Sequence, residues 1–386
     1  MNDIVVVGGG SAGMTLAGLL ANQDIGVVLV EPKPAAADIT GTYDLRTVAL
    51  TPASMHLLKG LPMDWDSLRH ELYRRMRVED ADASSHLTFD ARELGEPYLG
   101  CLVESKVLNA GLRRALQSLR VPILEQSVTT LGLTEGQRHV HLDQGHVLQT
   151  PLLVAADGAL SRVRQHLGLA VAEHDYRQSA LVSVVQFAVG HAHTAWQRFD
   201  QGYPLALLPL ASPGSGFCSL VWSLPTETAE AWSQEPEEIF AARLQTVCPP
   251  ERGCIVSLGA RATYPLVARH AASYVAPQAV LVGDTAHTIH PLAGQGLNLG
   301  LSDVRVLVEE LVRARERGLA FGHASVLARY QRRRRGDNQS TQHAMSWLQR
   351  AFAAQSPAWR VILGEGLSLL DQQPLLKGWL ARQAMR

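Results

Sequence analysis

Short apolar runs alternate with helix-spaced segments over the first part of the chain. Ile4 to Val7 is an unbroken apolar run, Met14 to Ala21 has helical spacing, and Val27 to Val30 is a second run that ends at Glu31. Runs of this length without polar alternation fit strands of a parallel sheet covered on both faces. The same texture returns at Leu152 to Ala156 and at Ala279 to Val282. Met76 to Ala91 and Glu173 to Thr263 differ, because apolar and polar residues alternate there, as in Leu181 to Val189 and Phe217 to Trp222. That period of two predicts a second, largely antiparallel sheet. Pro236 to Leu244 reads as a helix beneath it, Leu297 to Leu311 as another, and the pattern is helical from Phe321 onward. No internal repeat or low-complexity linker interrupts the chain.

Three glycine-rich joints between these elements carry chemistry. The first is Gly8-Gly9-Gly10-Ser11-Ala12-Gly13, a GxGxxG between strand and helix. Gly8 permits the tight turn, Gly10 lets the backbone meet a diphosphate, and Gly13 allows close helix–strand packing. Glu31, at the end of the second run, is placed to accept from a ribose hydroxyl. The motif predicts a dinucleotide and does not separate FAD from NAD. The second joint is Asp157-Gly158, where a buried strand breaks and a helix restarts near Ser161. The third runs from Val282 to Gly300 and contains Asp284, Pro291, Gly294, Gly296, Leu297 and Asn298. A helix starting near Leu297 points a partly positive end at this loop, which suits the edge of a reduced flavin where negative charge collects. Taken alone, the stretch also fits a strand-to-helix turn that only packs.

The three joints, in this order and at these separations, resemble the class A flavin monooxygenases typified by para-hydroxybenzoate hydroxylase. Asp44-Leu-Arg-Thr-Val-Ala-Leu50, Tyr264-Pro-Leu-Val-Ala-Arg269, His287 to Asn298, Tyr330 to Asn338 and Leu370 to Lys377 resemble, more narrowly, the bacterial ubiquinone-biosynthesis hydroxylases. The resemblance implies an α/β fold with a Rossmann-like FAD-binding domain of glutathione-reductase type, discontinuous over residues 1–73, 98–172 and 270–335. An inserted antiparallel-sheet substrate domain would take 74–97 and 173–269, and C-terminal helices 336–386. It implies hydroxylation of a polyprenylated phenol through a C4a-hydroperoxyflavin, with FAD as cofactor, NAD(P)H as transient reductant and O2 as co-substrate. The cofactor-binding set is then Gly8, Gly10, Ser11, Ala12, Gly13, Glu31, Arg46, Ser105, Asp157, Asp284, Gly294, Gly296, Leu297 and Asn298, with Pro291 shaping the pocket. Arg46 matches the family arginine that approaches the flavin, and Asp284 the carboxylate that accepts from the ribityl or ribose chain. At Ser105 the family pattern has Asn, Gln or Arg, so this chain departs from it with a shorter side chain. Flavin-borne chemistry assigns no protein nucleophile. The alternatives are a flavin hydroxylase of a small soluble phenol and an inactive flavin-binding scaffold of a biosynthetic complex.

Composition narrows the class. The 386 residues are 46% hydrophobic and 18% charged with a net charge of −1, which fits a globular protein and argues against a nucleic-acid surface. Cys101, Cys218, Cys248 and Cys254 form no CxxC pair and read as reduced, mostly buried thiols. Ile4 to Ala21 lacks a basic leader, since Asp3 precedes it, and no other stretch reaches transmembrane length. A cytoplasmic protein, peripheral to the inner membrane through its tail or held in a ubiquinone-biosynthesis complex, is the expectation. No metal site is expected: His287 and His290 lack a third ligand, while His139/His141 and His191/His193 are expected to face opposite ways or project from an edge and a loop. Arg332 to Arg335 reads as a solvated basic face.

Overall fold

The computed structural model describes residues 3–34, 36, 41–80, 86–212, 214, 216–288, 296–353 and 378, without the side chains of 80 and 342–353. Pro291, Gly294 and the tail beyond 353 therefore lie outside the described residues, apart from 378. The four-residue apolar runs form the middle of a six-stranded sheet, in the spatial order Val275–Ala276, Ala279–Leu281, Leu152–Ala155, Ile4–Val7, Val27–Val30 and Ile123–Leu124. All but the first edge pairing are parallel, with Val5 opposite Val28 on one side and Leu153 on the other. Ile4, Val5, Val6, Leu152, Leu153 and Val154 are fully buried, which explains why these strands show no polar alternation.

The chain then passes between sheets at single joints. His70–Tyr73 belongs to a three-stranded sheet with Thr47–Leu50 and Gly100–Glu104, whereas Arg75–Asp80 enters a nine-stranded sheet. Only Arg74 separates them, and its N–H donates to the His193 carbonyl at 2.8 Å. The nine-stranded sheet is largely antiparallel, with Thr194–Asp200 parallel to Arg75–Asp80. Its longest strand, Val171–Phe187, bulges between Asp175 and Ser179, where Arg177 takes a φ of 53°. The extra residues re-aim the strand from an exposed edge into a buried sheet. Beyond the bulge, Leu181 and Val185 point to a core closed by Phe240 and Leu244 of the helix Glu237–Val247, while Ala180 and Val182 face Leu45 of the nucleotide half. Alternation thus buries two different faces. The sheet also takes in Ala271 and His287–Thr288, and the helix Ala324–Ala353 runs unbroken through residue 335. Neither the 269/270 nor the 335/336 division is a break in secondary structure.

One buried carboxylate ties the helices Gly296–Glu316 and Ala324–Ala353 to the sheet ends. Asp303, on the helix Gly296–Glu316, is fully buried and accepts from the Gly283 N–H at 3.0 Å, His287 Nε2 at 2.6 Å, Arg334 Nε at 2.7 Å and Asn338 Nδ2 at 3.0 Å. Arg334 also donates to Asn338 Oδ1 at 2.6 Å. The expectation of a solvated basic face over Arg332 to Arg335 is corrected here: Arg334 is buried, because it sits on the side of its helix that meets Asp303. Burial works to raise the Asp303 pKa, but His287, Arg334 and Asn338 hold it below the ordinary 3.8.

Asp303→Ala should cost about 3–5 kcal/mol in a urea titration, because it strands a buried arginine. Glu309→Ala, which removes exposed pairs to Arg305 and Arg333, should cost less than about 1 kcal/mol. Since the folded pKa of Asp303 is depressed, its contribution is complete above 3.8 and falls away as pH drops through the folded value. The parent should lose more stability than the alanine variant across that acid window.

Candidate active site

The first helix, Ser11–Ala21, begins at Gly10 without a side-chain cap and without an acid in its first turn. Its leading N–H groups therefore keep their affinity for an anion. The glycines around it divide by role. A Cβ on Gly8 would lie 2.2 Å from the Ala156 carbonyl oxygen and one on Gly13 2.0 Å from that of Gly8, so both are fixed by packing. A Cβ on Gly10 would meet nothing within 4 Å. Open space at that one position is the cradle a diphosphate needs, and the residues present fit the adenine-dinucleotide half of FAD. Glu31 turns back onto the loop, accepting from Gly9 N–H at 2.6 Å and from Lys33 N–H at 2.9 Å.

The three joints come together. Gly8 packs on Ala156 and Asp157, Gly158 N–H donates to Thr285 Oγ1 at 3.0 Å, and Gly283 lies against Ala12 and Gly300. Gly300 approaches so closely that its Cβ would be 3.2 Å from the Gly283 Cα. The helix Gly296–Glu316 and the helix Ser11–Ala21 thus bring their N-terminal ends to one place. Gly296 opens the former with free space beside it, Leu297 packs on the nucleotide core, and Ala12 separates the two glycine turns. Asp284 lies exposed on the turn Gly283–Thr285, crowded enough by protein that desolvation raises its pKa against the opposing pull of His287.

Like Glu31, the expected ligand side chains Asp157 and Asn298 are engaged by protein. Asp157 accepts from Ser161 Oγ at 2.5 Å and Val163 N–H at 3.1 Å, which starts the helix Arg162–His166. Asn298 accepts from Thr51 N–H at 3.0 Å and donates to the Ala49 carbonyl at 2.7 Å, clamping its helix to the turn after Thr47–Leu50. Arg164, which sequence reasoning passed over, is buried and donates to the carbonyls of Thr285 and Ala159 at 2.8 and 2.9 Å. No local signal marked it, since an arginine in the first turn of a capped helix reads as a surface residue.

A cavity of about 790 Å³ lies between this half and the nine-stranded sheet. Arg46, Ser105 and Asn109 line one wall; Val184, Phe217, Leu258 and Tyr264 line the other. Ser11 Oγ donates to Asn109 Oδ1 at 2.6 Å, so the glycine loop reaches the cavity wall through one hydrogen bond. Ser105 starts the helix Ser105–Ser118 and donates its N–H to the Arg46 carbonyl at 2.8 Å. The three buried cysteines, Cys101, Cys218 and Cys248, are pushed up to about 12 by burial and are no nucleophiles at neutral pH.

Residues 1–343 match the family described as FAD binding domain. The chain belongs to it. Over its full length this flavoprotein is 37% identical to the 3-demethoxyubiquinol 3-hydroxylase of Escherichia coli (strain K12), covering 97% of that protein. The ubiquinone biosynthesis monooxygenase COQ6 of Mus musculus is 32% identical, with 97% of this chain and 89% of COQ6 covered. Among solved structures, p-nitrophenol 4-monooxygenase PnpA of Pseudomonas putida DLL-E4 shares the fold with a TM-score of 0.78 at 19% identity, covering 100% of this chain and 96% of its own. PqsL of Pseudomonas aeruginosa, a probable FAD-dependent monooxygenase, gives 0.76 at 24% identity over 91% and 96% of the two chains. This flavoprotein is thus an FAD-dependent monooxygenase of the aromatic-hydroxylase type.

The pair His139/His141 requires a correction, whereas His191 and His193 lie in a loop, as expected. His139 and His141 share the half-exposed face of one strand, since residues two apart point the same way, and His191 lies 5.9 Å from His193 between ring centroids. His193 Nδ1 meets Glu71 Oε1 at 2.5 Å, and the His191 ring nitrogens meet the Leu210 carbonyl and the His193 N–H. Glu71, His191 and His193 bring donor atoms within 4.8 Å of one another, a grouping the chain order did not suggest because 120 residues separate Glu71 from His191. Their hydrogen bonds fasten the joint at Arg74.

Gly10→Val should fold normally, because its side chain enters open space, yet purify without flavin. Apoprotein melting near the parent's together with a colourless preparation is the expected pair of results, and a fully yellow protein would overturn the diphosphate assignment. Asp284→Ala should weaken FAD binding tens-fold in a fluorescence titration, the scale of about 1.5–3 kcal/mol for one charge-assisted hydrogen bond.

Proposed function

We propose that this flavoprotein hydroxylates the aromatic ring of a polyprenylated phenol in ubiquinone synthesis, consuming NAD(P)H and O2. The observation that carries the reading is the meeting of three glycine-rich joints, far apart in sequence, beside one cavity under an antiparallel sheet. Support for the substrate class comes from the end-to-end relationship to a protein named for hydroxylating demethoxyubiquinol. Bound FAD supplies the redox chemistry, accepting reducing equivalents from NAD(P)H and delivering one atom of O2 to the ring while the other leaves as water.

The chain's own residues bind, orient and exclude water. Gly10 and the uncapped start of Ser11–Ala21 hold the diphosphate, Glu31 and Asp284 accept from sugar hydroxyls, and Arg46 and Ser105 meet the cofactor from the cavity wall. Backbone N–H groups where Gly296–Glu316 begins stabilise negative charge on the flavin ring. Leu45, Val184, Phe217 and Leu258 supply apolar wall, which limits loss of activated oxygen to water as hydrogen peroxide.

A prenylated phenol partitions into lipid, so the protein must meet a membrane or a carrier. Among the described residues no helix is long and apolar enough to cross a membrane. We assign the meeting to residues 357–386, where Trp359, Trp379 and Leu380 stand among apolar neighbours with Lys377, Arg382 and Arg386. On this reading the protein is cytoplasmic and peripheral to the inner membrane, alone or within a biosynthetic complex.

Deletion of the gene should accumulate a prenylated precursor one ring hydroxyl short, and the purified holoenzyme should add one oxygen to it with NAD(P)H. Accumulation of no quinone precursor would point to a small soluble phenol, and failure of NAD(P)H to bleach the flavin with that precursor present would point to a scaffold. Truncation before Pro357 should lower turnover of long-chain substrate more than FAD affinity. Equal losses would make the tail purely structural.

A further inference from the structure

The loop Thr42 to Arg46 lines the cavity and is held at both ends by an arginine over a tyrosine ring. At one end the Arg69 guanidinium stands 4.4 Å from the Tyr43 ring centroid, and at the other Arg46 stands 4.8 Å from that of Tyr264. The two stacks leave different donors available. Arg69 has its fork engaged by the buried Glu104, with bonds of 2.6 and 2.8 Å. Glu104 also accepts from the Asp44 N–H at 2.6 Å, so that end is closed structure. Arg46 is exposed, and among the described residues its guanidinium has no hydrogen-bonding partner. A carboxylate would restrain an arginine by consuming its in-plane N–H groups, whereas an aromatic face restrains it and leaves all five free.

We propose that Tyr264 is a positioning residue: its ring holds Arg46 across the cavity with its donors directed at the bound flavin, so that the substrate-side sheet sets the cofactor-side arginine. Tyr264 sits on the strand Ala262–Ala271, opposite Ala180, in the face that packs against Leu45. Tyr43 stitches the other end of the loop to the same sheet, donating from its hydroxyl to the Ala211 carbonyl at 2.9 Å and lying 5.1 Å from the Phe217 ring. A loop sewn to the roof at both ends cannot move with respect to it without moving Arg46. The ring, rather than the Tyr264 hydroxyl, is the acting group.

The inference rests on FAD occupying the cavity, and its main readout needs no phenol. FAD-loaded Tyr264→Leu, Tyr264→Phe, Arg46→Ala and the Arg46→Ala/Tyr264→Leu double variant are compared by fluorescence anisotropy decay of the bound flavin. FAD affinity and hydrogen peroxide released per NAD(P)H oxidised are measured alongside. Tyr264→Leu should loosen the flavin ring and raise peroxide release roughly twofold to fivefold, the scale of an exposed cation–π contact, with FAD affinity within about threefold of the parent. Tyr264→Phe should restore the parent's values, and the double variant should be no worse than Arg46→Ala alone. The proposal fails if Tyr264→Leu matches the parent, if Tyr264→Phe is as impaired as Tyr264→Leu, or if the two single defects add. Flavin anisotropy that behaves as expected without hydroxylation of a prenylated phenol would leave this inference standing and count against the substrate class alone.

Discussion

Four hydrogen bonds to the buried carboxylate of Asp303 fix where the flavin-type turn can lie. The turn Gly283–Thr285 opens on a glycine, which supplies no side chain to hold it. Asp303 reaches it through the Gly283 N–H and the His287 ring, while Arg334 and Asn338 fasten the same carboxylate to the following helix. A buried charge is stable only when paired and fully hydrogen-bonded, so each partner requires the others. The network converts a permissive glycine turn into a positioned one.

With that turn fixed, close packing does the rest. Gly283, Ala12 and Gly300 touch because none carries a side chain larger than a methyl group, and Gly158 bonds to Thr285 between them. Two helix N-termini therefore converge, and on the proposed function their partial positive charge serves a dinucleotide's diphosphate and the flavin's electron-rich edge. Asp157 and Asn298 hold this arrangement together from inside, through protein hydrogen bonds.

Among the described residues, two attachments of the substrate-side sheet to the nucleotide half lie beside the cavity or the joint between sheets. The joint at Arg74 is fastened by the Glu71–His193 pair, and the loop Thr42 to Arg46 by Tyr43 and Tyr264. Between the attachments lies the cavity. Its cofactor wall is polar and its opposite wall apolar, which suits a reaction that binds a charged cofactor and must keep water from the reacting ring.

What the amino-acid sequence determined by itself was everything governed by local order. Four-residue apolar runs announced the buried parallel strands, alternation announced the second sheet, and glycine at 8, 10 and 13 announced a diphosphate turn, because each signal depends only on neighbours along the chain. The family, the cofactor and the type of reaction were expectations of the resemblance that three such joints in order carry. Only tertiary structure decided the partners of charged side chains. Arg332, Arg333, Arg334 and Arg335 are chemically alike, yet Arg334 alone is buried on Asp303, since helix phase against a neighbouring helix selects it. Arg46 and Tyr264 lie more than two hundred residues apart, and Glu71 meets His193 across a joint between sheets. Such pairings arise from the folding of two sheets onto each other, and no local period encodes them.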